Sequence, residues 1–114
     1  MEQVKTEQVE EYADEEFLDF ARDVVSRGLE GDVLLIPRDA ARTILTQKRI
    51  EIVETLREED FESMRGLARE LERDIKSVSR DLDVLWEHDI IEYRREGGRK
   101  IPELEHDRII VEPL

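Results

Sequence analysis

Lys76, Ser77, Ser79 and Arg80 stand close together and are the side-chain types that donate to phosphates and to base edges. They lie in the stretch from Arg73 to Ile91, R-D-I-K-S-V-S-R-D-L-D-V-L-W-E-H-D-I-I. Asp74 is a good N-cap, because its carboxylate can accept from the free backbone N–H groups of the next turn. Ile75, Val78, Leu82, Leu85 and Trp86 recur at three- and four-residue steps and form one apolar stripe. At about 100° per residue, Lys76, Ser77 and Arg80 fall on the opposite side, within the first two turns. A helix anchored by one face and basic near its N-terminus has the layout of one presented to a DNA major groove. Taken alone, the simpler reading is an ordinary amphipathic helix with a solvated charged face. The neighbouring segments change that balance. Val84 falls on the polar side and has no role in this pattern.

Two flanking groups could act with these residues. Arg94, Arg95, Arg99 and Lys100 surround the pair Gly97-Gly98, a two-glycine turn able to take positive φ. Such a basic hairpin tip suits a phosphate backbone or a minor groove. The bland reading is a hairpin whose charges serve solubility and edge protection. Four bases at one turn beside a basic helix favour the functional reading. Ser63 and Arg65, at the start of the preceding helix, are placed to hold a phosphate. From Arg73 to Lys100 acids and bases balance, so the net charge of −13 arises elsewhere. Within the segment the signs separate: the helix start and the hairpin tip are basic, while Asp89 and Glu92 lie toward the base of the wing.

Catalysis has little to stand on. His88 and His106 alone could titrate near pH 7, and neither has a patterned partner. His88, at a helix C-terminus, is more simply a dipole-stabilising cation. Asp81 and Asp83 point about 200° apart on a helix and do not pair as metal ligands. Gly28-Leu29-Glu30-Gly31 lacks the further Gly, Lys and Ser/Thr of a phosphate loop. With no cysteine, disulfides, thiolate nucleophiles and cysteine metal sites are excluded. An enzyme, a metal site and a cofactor are therefore not expected.

The elements that must position these residues can be taken in order. Residues 1–12 are polar, acid-rich and aperiodic, and are expected to be disordered. Ala13 to Arg27 is helical in pattern, with Phe17, Phe20, Ala21 and Val24 on one face and Gly28 as the stop. That face must be buried, either on its own chain or in a dimer; Phe17, Phe20 and Val24 are the candidate dimerisation residues. Val33–Ile36 is a short strand ended by Pro37. From Arg38 a helical pattern begins, and Thr46 either caps a fresh helix or lies within a continuing one. Ile50, Val53 and Leu56 define the next apolar face, with Ile52 beside it. Ser63 caps a short helix carrying Met64, Leu67, Ala68 and Leu71, and Glu72-Arg73 turn into the Asp74 cap, a helix-turn-helix spacing. After His88 the period falls to two. Ile91 to Arg95 and Arg99 to Leu104 form a hairpin with Pro102 at an exposed edge, and Ile109–Val111 is a third strand. The fold class is mainly α with a small β-wing: a winged helix-turn-helix (37–114) behind an N-terminal helical extension (1–36).

From Leu45 to Glu112 the chain resembles winged-helix transcriptional regulators of the broad MarR-like group. It is more closely similar to a family of predicted prokaryotic regulators. The shared features are Leu45-Thr46, Ser63 with Leu67-Ala68, and the run R-D-x-K-x-V-x-R-D-L, here Arg73-Asp74-Ile75-Lys76-Ser77-Val78-Ser79-Arg80-Asp81-Leu82, followed by a wing. Where that family has Asn and His after the Lys and the Val, this chain has Ser77 and Ser79. The resemblance implies a regulator that contacts DNA through Lys76, Ser77, Ser79 and Arg80.

Composition bounds the rest. The 114 residues are 39% hydrophobic, enough for one domain with a short extension. The 18 basic residues face 31 acids, and only four of them are lysine. An acid-rich, lysine-poor chain suits a salt-accumulating cell, where self-repulsion is screened over about 3 Å at 1 M salt. The alternative is an acidic surface made for a basic partner; the even spread of acid along the chain favours the first. No apolar run could span a bilayer, and the start M-E-Q-V-K-T-E has no signal-sequence pattern, so no membrane partner and a cytoplasmic location are expected. The expected function is a sequence-specific regulator, a repressor and homodimer, with double-stranded DNA as partner and any small-molecule effector unknown. The rival is a winged helix that binds protein, such as an antitoxin or a transcription-complex adaptor.

Overall fold

The computed structural model describes residues 14–29 and 31–114; the stretch 1–12 expected to be disordered lies outside the described residues. In chain order the elements are α1 (Glu15–Ser26), β1 (Val33–Ile36), α2 (Arg38–Ile44), α3 (Gln47–Glu58), α4 (Met64–Leu71), α5 (Ile75–Glu87), β2 (Ile91–Glu96), β3 (Arg99–Leu104) and β4 (Arg108–Val111). They form a winged helix-turn-helix: helices α3 to α5 followed by the β2–β3 hairpin. Among the described residues, no helix is long and apolar enough to cross a membrane.

Local chemistry sets the helix boundaries. Asp14, Thr46, Ser63 and Asp74 are N-caps, and each side-chain oxygen accepts from a backbone N–H of the first turn. Thr46 therefore opens a fresh helix, its Oγ1 accepting from Arg49 at 3.2 Å. Glu72 ends α4 in the left-handed conformation, with φ 55°, and its N–H reaches back to Ala68 and Arg69. That reversal starts α5 two residues later, at the Asp74 cap.

The chain divides into two compact units. One spans Ile44–Glu105 and holds α3, α4, α5 and the wing. Its core is Ile52, Leu67, Val78, Leu82, Leu85 and Ile90, each without measurable exposure, joined by Ile91 and Ile101. Two expectations shift here. Ile52 and Leu56 are the buried positions of α3, whereas Ile50 is exposed. Trp86, expected in the stripe of α5, is 50% exposed. On α3 the buried face is turned from Ile50 toward Ile52, and on α5 Trp86 lies about 100° round the helix from Leu85, past the face that Val78, Leu82 and Leu85 define.

The other unit combines the described residues up to Thr43 with His106–Leu114. Here β1 pairs parallel with β4, Val33 against Arg108 through Ile36 against Val111. The third strand expected at Ile109–Val111 is thus present, and its partner is β1. All four residues of β1 are buried, as in a strand covered on both faces. Phe17, Ala21 and Val24 of α1 pack on Val33 and Leu35, with Phe20 and Ile110 beside them. Phe17 and Val24, expected from sequence at a dimer surface, are buried in their own chain; Phe20 remains partly exposed.

The wing is an antiparallel pair running from Ile91 opposite Leu104 to Glu96 opposite Arg99. Gly97 and Gly98 turn with φ of 56° and 79°, the left-handed pair that matches strand twist. Pro102 lies opposite Tyr93 in this two-stranded sheet, with its side chain buried.

Candidate nucleic-acid interface

The run from Arg73 to Leu82 can be sorted by what each side chain does. Asp74 caps α5, accepting from Lys76 at 3.1 Å and Ser77 at 3.2 Å. Val78 and Leu82 fill the core. Asp81 takes two guanidinium groups, Arg73 Nη2 at 2.7 Å and Arg49 Nε at 3.0 Å. Arg49 also donates to the Ile44 carbonyl at 3.1 Å. The three side chains are 9% (Arg73), 17% (Asp81) and 19% (Arg49) exposed, and they tie the start of α3 to the middle of α5. Burial raises the Asp81 carboxyl, but the bonds from Arg73 and Arg49 outweigh it and hold it below its ordinary value. Arg73, a basic residue next to the Asp74 cap, is therefore spent inside the fold.

Lys76 and Arg80 have no such task. Both are exposed, and neither forms an ion pair among the described residues. Ser77 is half-buried, and its hydroxyl oxygen accepts from Arg73 Nη2 at 2.7 Å. A serine hydroxyl carries one donor besides its acceptor lone pairs, so Ser77 can still donate. Ser79 is half-buried on the flank of the helix.

Ser63 uses its hydroxyl to cap α4, accepting from Gly66 at 2.9 Å. Ser63, Met64, Arg65, Ile75, Arg99 and Lys100 line a cleft of about 400 Å³. The first turns of α4 and α5 thus meet β3 around a hollow that carries three basic side chains, the charge an entering phosphate requires.

The wing bases are not equivalent. Arg94 is occupied by Glu96 at 3.0 Å and Glu103 at 3.2 Å, and these bonds raise its pKa. Arg99 reaches the Glu62 carbonyl at 3.4 Å. Arg95 is exposed and faces Lys100 directly across the hairpin. Like charges directly opposite are unfavourable unless an anion comes between them. Lys100 Nζ is held 4.4 Å from the centroid of the Tyr93 ring, a cation–π distance.

Several participants were not singled out by sequence reasoning. Arg49 lies on a different helix, and nothing in its spacing marks it as a partner of Asp81. Tyr93 and Asp83 are joined by a 2.8 Å hydrogen bond across ten positions. Trp86, Glu87, Asp89, Ile91, Glu92 and Glu105 line a second cleft of about 330 Å³, acidic with one indole wall. His88 is the half-buried C-cap residue of α5, and His106 lies 3.0 Å from Asp32. Among the described residues, no group of three or more His, Cys, Asp or Glu is placed to hold a metal ion.

Comparison with known proteins adds two findings. Residues 44–111, more than half of the chain, match the family model described as HVO_A0114. The chain is similar in fold to the solution structure of Mb0332 (fragment 1-100) from Mycobacterium bovis, described as a homodimeric winged helix-turn-helix DNA-binding domain of a possible ArsR-family transcriptional regulator. The TM-score is 0.51 at 20% identity, over 56% of this chain and 58% of that one, so the chain spans less than two thirds of that structure's length. No curated protein matches the chain.

Proposed function

The chain belongs to the HVO_A0114 family, and we propose that it is a sequence-specific regulator of transcription that binds double-stranded DNA and acts as a repressor. One observation carries the reading. Within the Arg73–Leu82 run, Arg73, Asp74, Val78, Asp81 and Leu82 have work inside the fold, while Lys76 and Arg80 stand exposed at the start of α5. Fold stability does not call for two unpaired cations there, beside a wing that carries more. Lys76, Ser77 and Arg80 would enter the major groove, where Arg and Lys can donate to guanine O6 and N7 and the Ser77 hydroxyl to any acceptor. Ser79 would lie at the margin. Arg65, Arg99 and Lys100 would surround a phosphate in the cleft at the start of α4, and Arg95 would meet the backbone beyond it. Arg94 is assigned a smaller share, since two carboxylates hold it.

The intact chain is further proposed to act as a homodimer on two half-sites, as single winged helices contact only short sequences. The MarR-like grouping and the salt-adapted origin belong to the same proposal. No catalytic activity or cofactor is assigned. One observation favours a second reading, a winged helix that binds protein: half of Trp86 is exposed in an acidic cleft that duplex DNA would avoid.

The two readings part in a binding assay. Arg80→Ala should cost on the order of 1–3 kcal/mol at a preferred site and blur the preference. Arg95→Ala should weaken all sequences alike and lower the salt slope by about one. A wing variant that changed preference, with Arg80→Ala changing nothing, would overturn the assignment.

A further inference from the structure

Tyr93 bridges α5 and the wing. Its hydroxyl donates to Asp83 Oδ1 at 2.8 Å. Its ring lies 6.2 Å from that of Trp86, tilted by 35°, and Lys100 Nζ stands 4.4 Å from its centroid. Asp83 and Trp86 belong to α5, Tyr93 to β2 and Lys100 to β3, so one side chain joins the helix to both strands. The cluster is not a core feature: Asp83 is exposed and Trp86 half-exposed. Ile91 and Ile101 anchor the base of the hairpin in the core, while toward the tip its angle to the helix depends on the side chains that span the gap.

We propose that Tyr93 is a positioning residue for the wing, which it fixes to α5 through Asp83, Trp86 and Lys100 so that Lys100 and Arg95 meet the same duplex as Lys76 and Arg80. The inference rests on the DNA-binding reading. A wing already held in place spares the ordering entropy that a loose hairpin would lose on binding. The ring also draws Lys100 to a defined place, although Arg95 lies opposite it in the register. Burial and the bond to Asp83 both push the Tyr93 phenol above its ordinary range, which keeps it a protonated donor at neutral pH.

The test uses the full-length protein, a short duplex DNA of mixed sequence and Tyr93→Phe, which keeps the ring and loses the hydroxyl. Trp86 is the single tryptophan, so its emission reports directly on the cluster. Three results are expected. Tyr93→Phe shifts the Trp86 emission and speeds amide exchange in the hairpin relative to α3 in the free protein. It weakens duplex binding by up to about tenfold and lowers the salt slope by about one. Adding Lys100→Ala to Tyr93→Phe then costs less than Lys100→Ala alone, because Lys100 meets the duplex only when the wing is held in place. An unchanged salt slope, or fully additive losses, would overturn the proposal. If the unaltered protein bound no duplex, the DNA-binding reading would fall, and unchanged hairpin exchange in Tyr93→Phe would overturn the positioning of the wing separately.

Discussion

Asp81 sits between two arginines, and it shows how a motif divides into structural and outward-facing positions. Its carboxylate binds Arg73 and Arg49 and so holds the first turns of α5 in place. Since its folded-state pKa is depressed, the stability it contributes is present above the ordinary value of 3.8 and is lost as pH falls through the lower folded value. Asp81→Asn should therefore lower stability by about 1–3 kcal/mol at neutral pH, with the gap to the unaltered protein closing below pH 3.8. Urea titrations at a series of pH values would check this; a gap that stayed constant into acid would contradict it. Part of this was legible in sequence, since Asp74 declared itself as a cap and Lys76 and Arg80 as outward. The partnership of Asp81 with Arg49 was not, because it joins residues 32 positions apart through side-chain reach alone.

At the scale of elements, caps and turns were the most legible features, being set by chemistry within a few residues: Thr46, Ser63, Asp74 and the Gly97-Gly98 turn all occur in those roles. Pairing partners were not, because a short apolar run states that it will be buried without stating against what. Ile109–Val111 reads as a strand, but nothing in its residues names β1 as its parallel partner. Helix α1 follows the same rule: its apolar face was recognised, yet Phe17 and Val24 are covered by β1 of their own chain. A dimer surface on α1 must use what remains outside, and Val25 is 59% exposed. Val25→Glu should leave the fold intact, since surface changes rarely exceed about 0.5 kcal/mol, and should shift the sedimentation of the intact chain from dimer toward monomer. An unaltered chain that sediments as a monomer would remove α1 and the homodimer from the account.

Across the whole molecule, the acidic charge outweighs every local feature. A net charge of −13 on 114 residues repels in the compact state, and the segment from Arg73 to Lys100, where acids and bases balance, is a local exception to it. Screening should relieve the repulsion, so the melting temperature should rise steadily from dilute buffer to about 1 M potassium chloride, where the Debye length is about 3 Å. A flat profile would favour an acidic surface made for a basic partner. Counterion release works in the other direction on DNA binding, which high salt weakens, so a specific complex in a salt-rich cell must draw on base contacts. The most direct test of the DNA-binding account is therefore selection of fragments from total genomic DNA by the purified full-length protein in molar potassium chloride, beside Arg80→Ala. The account predicts that the unaltered protein enriches fragments sharing one short sequence and that Arg80→Ala loses that enrichment while keeping its fold. Enrichment of no sequence, or the same enrichment by both proteins, would contradict it.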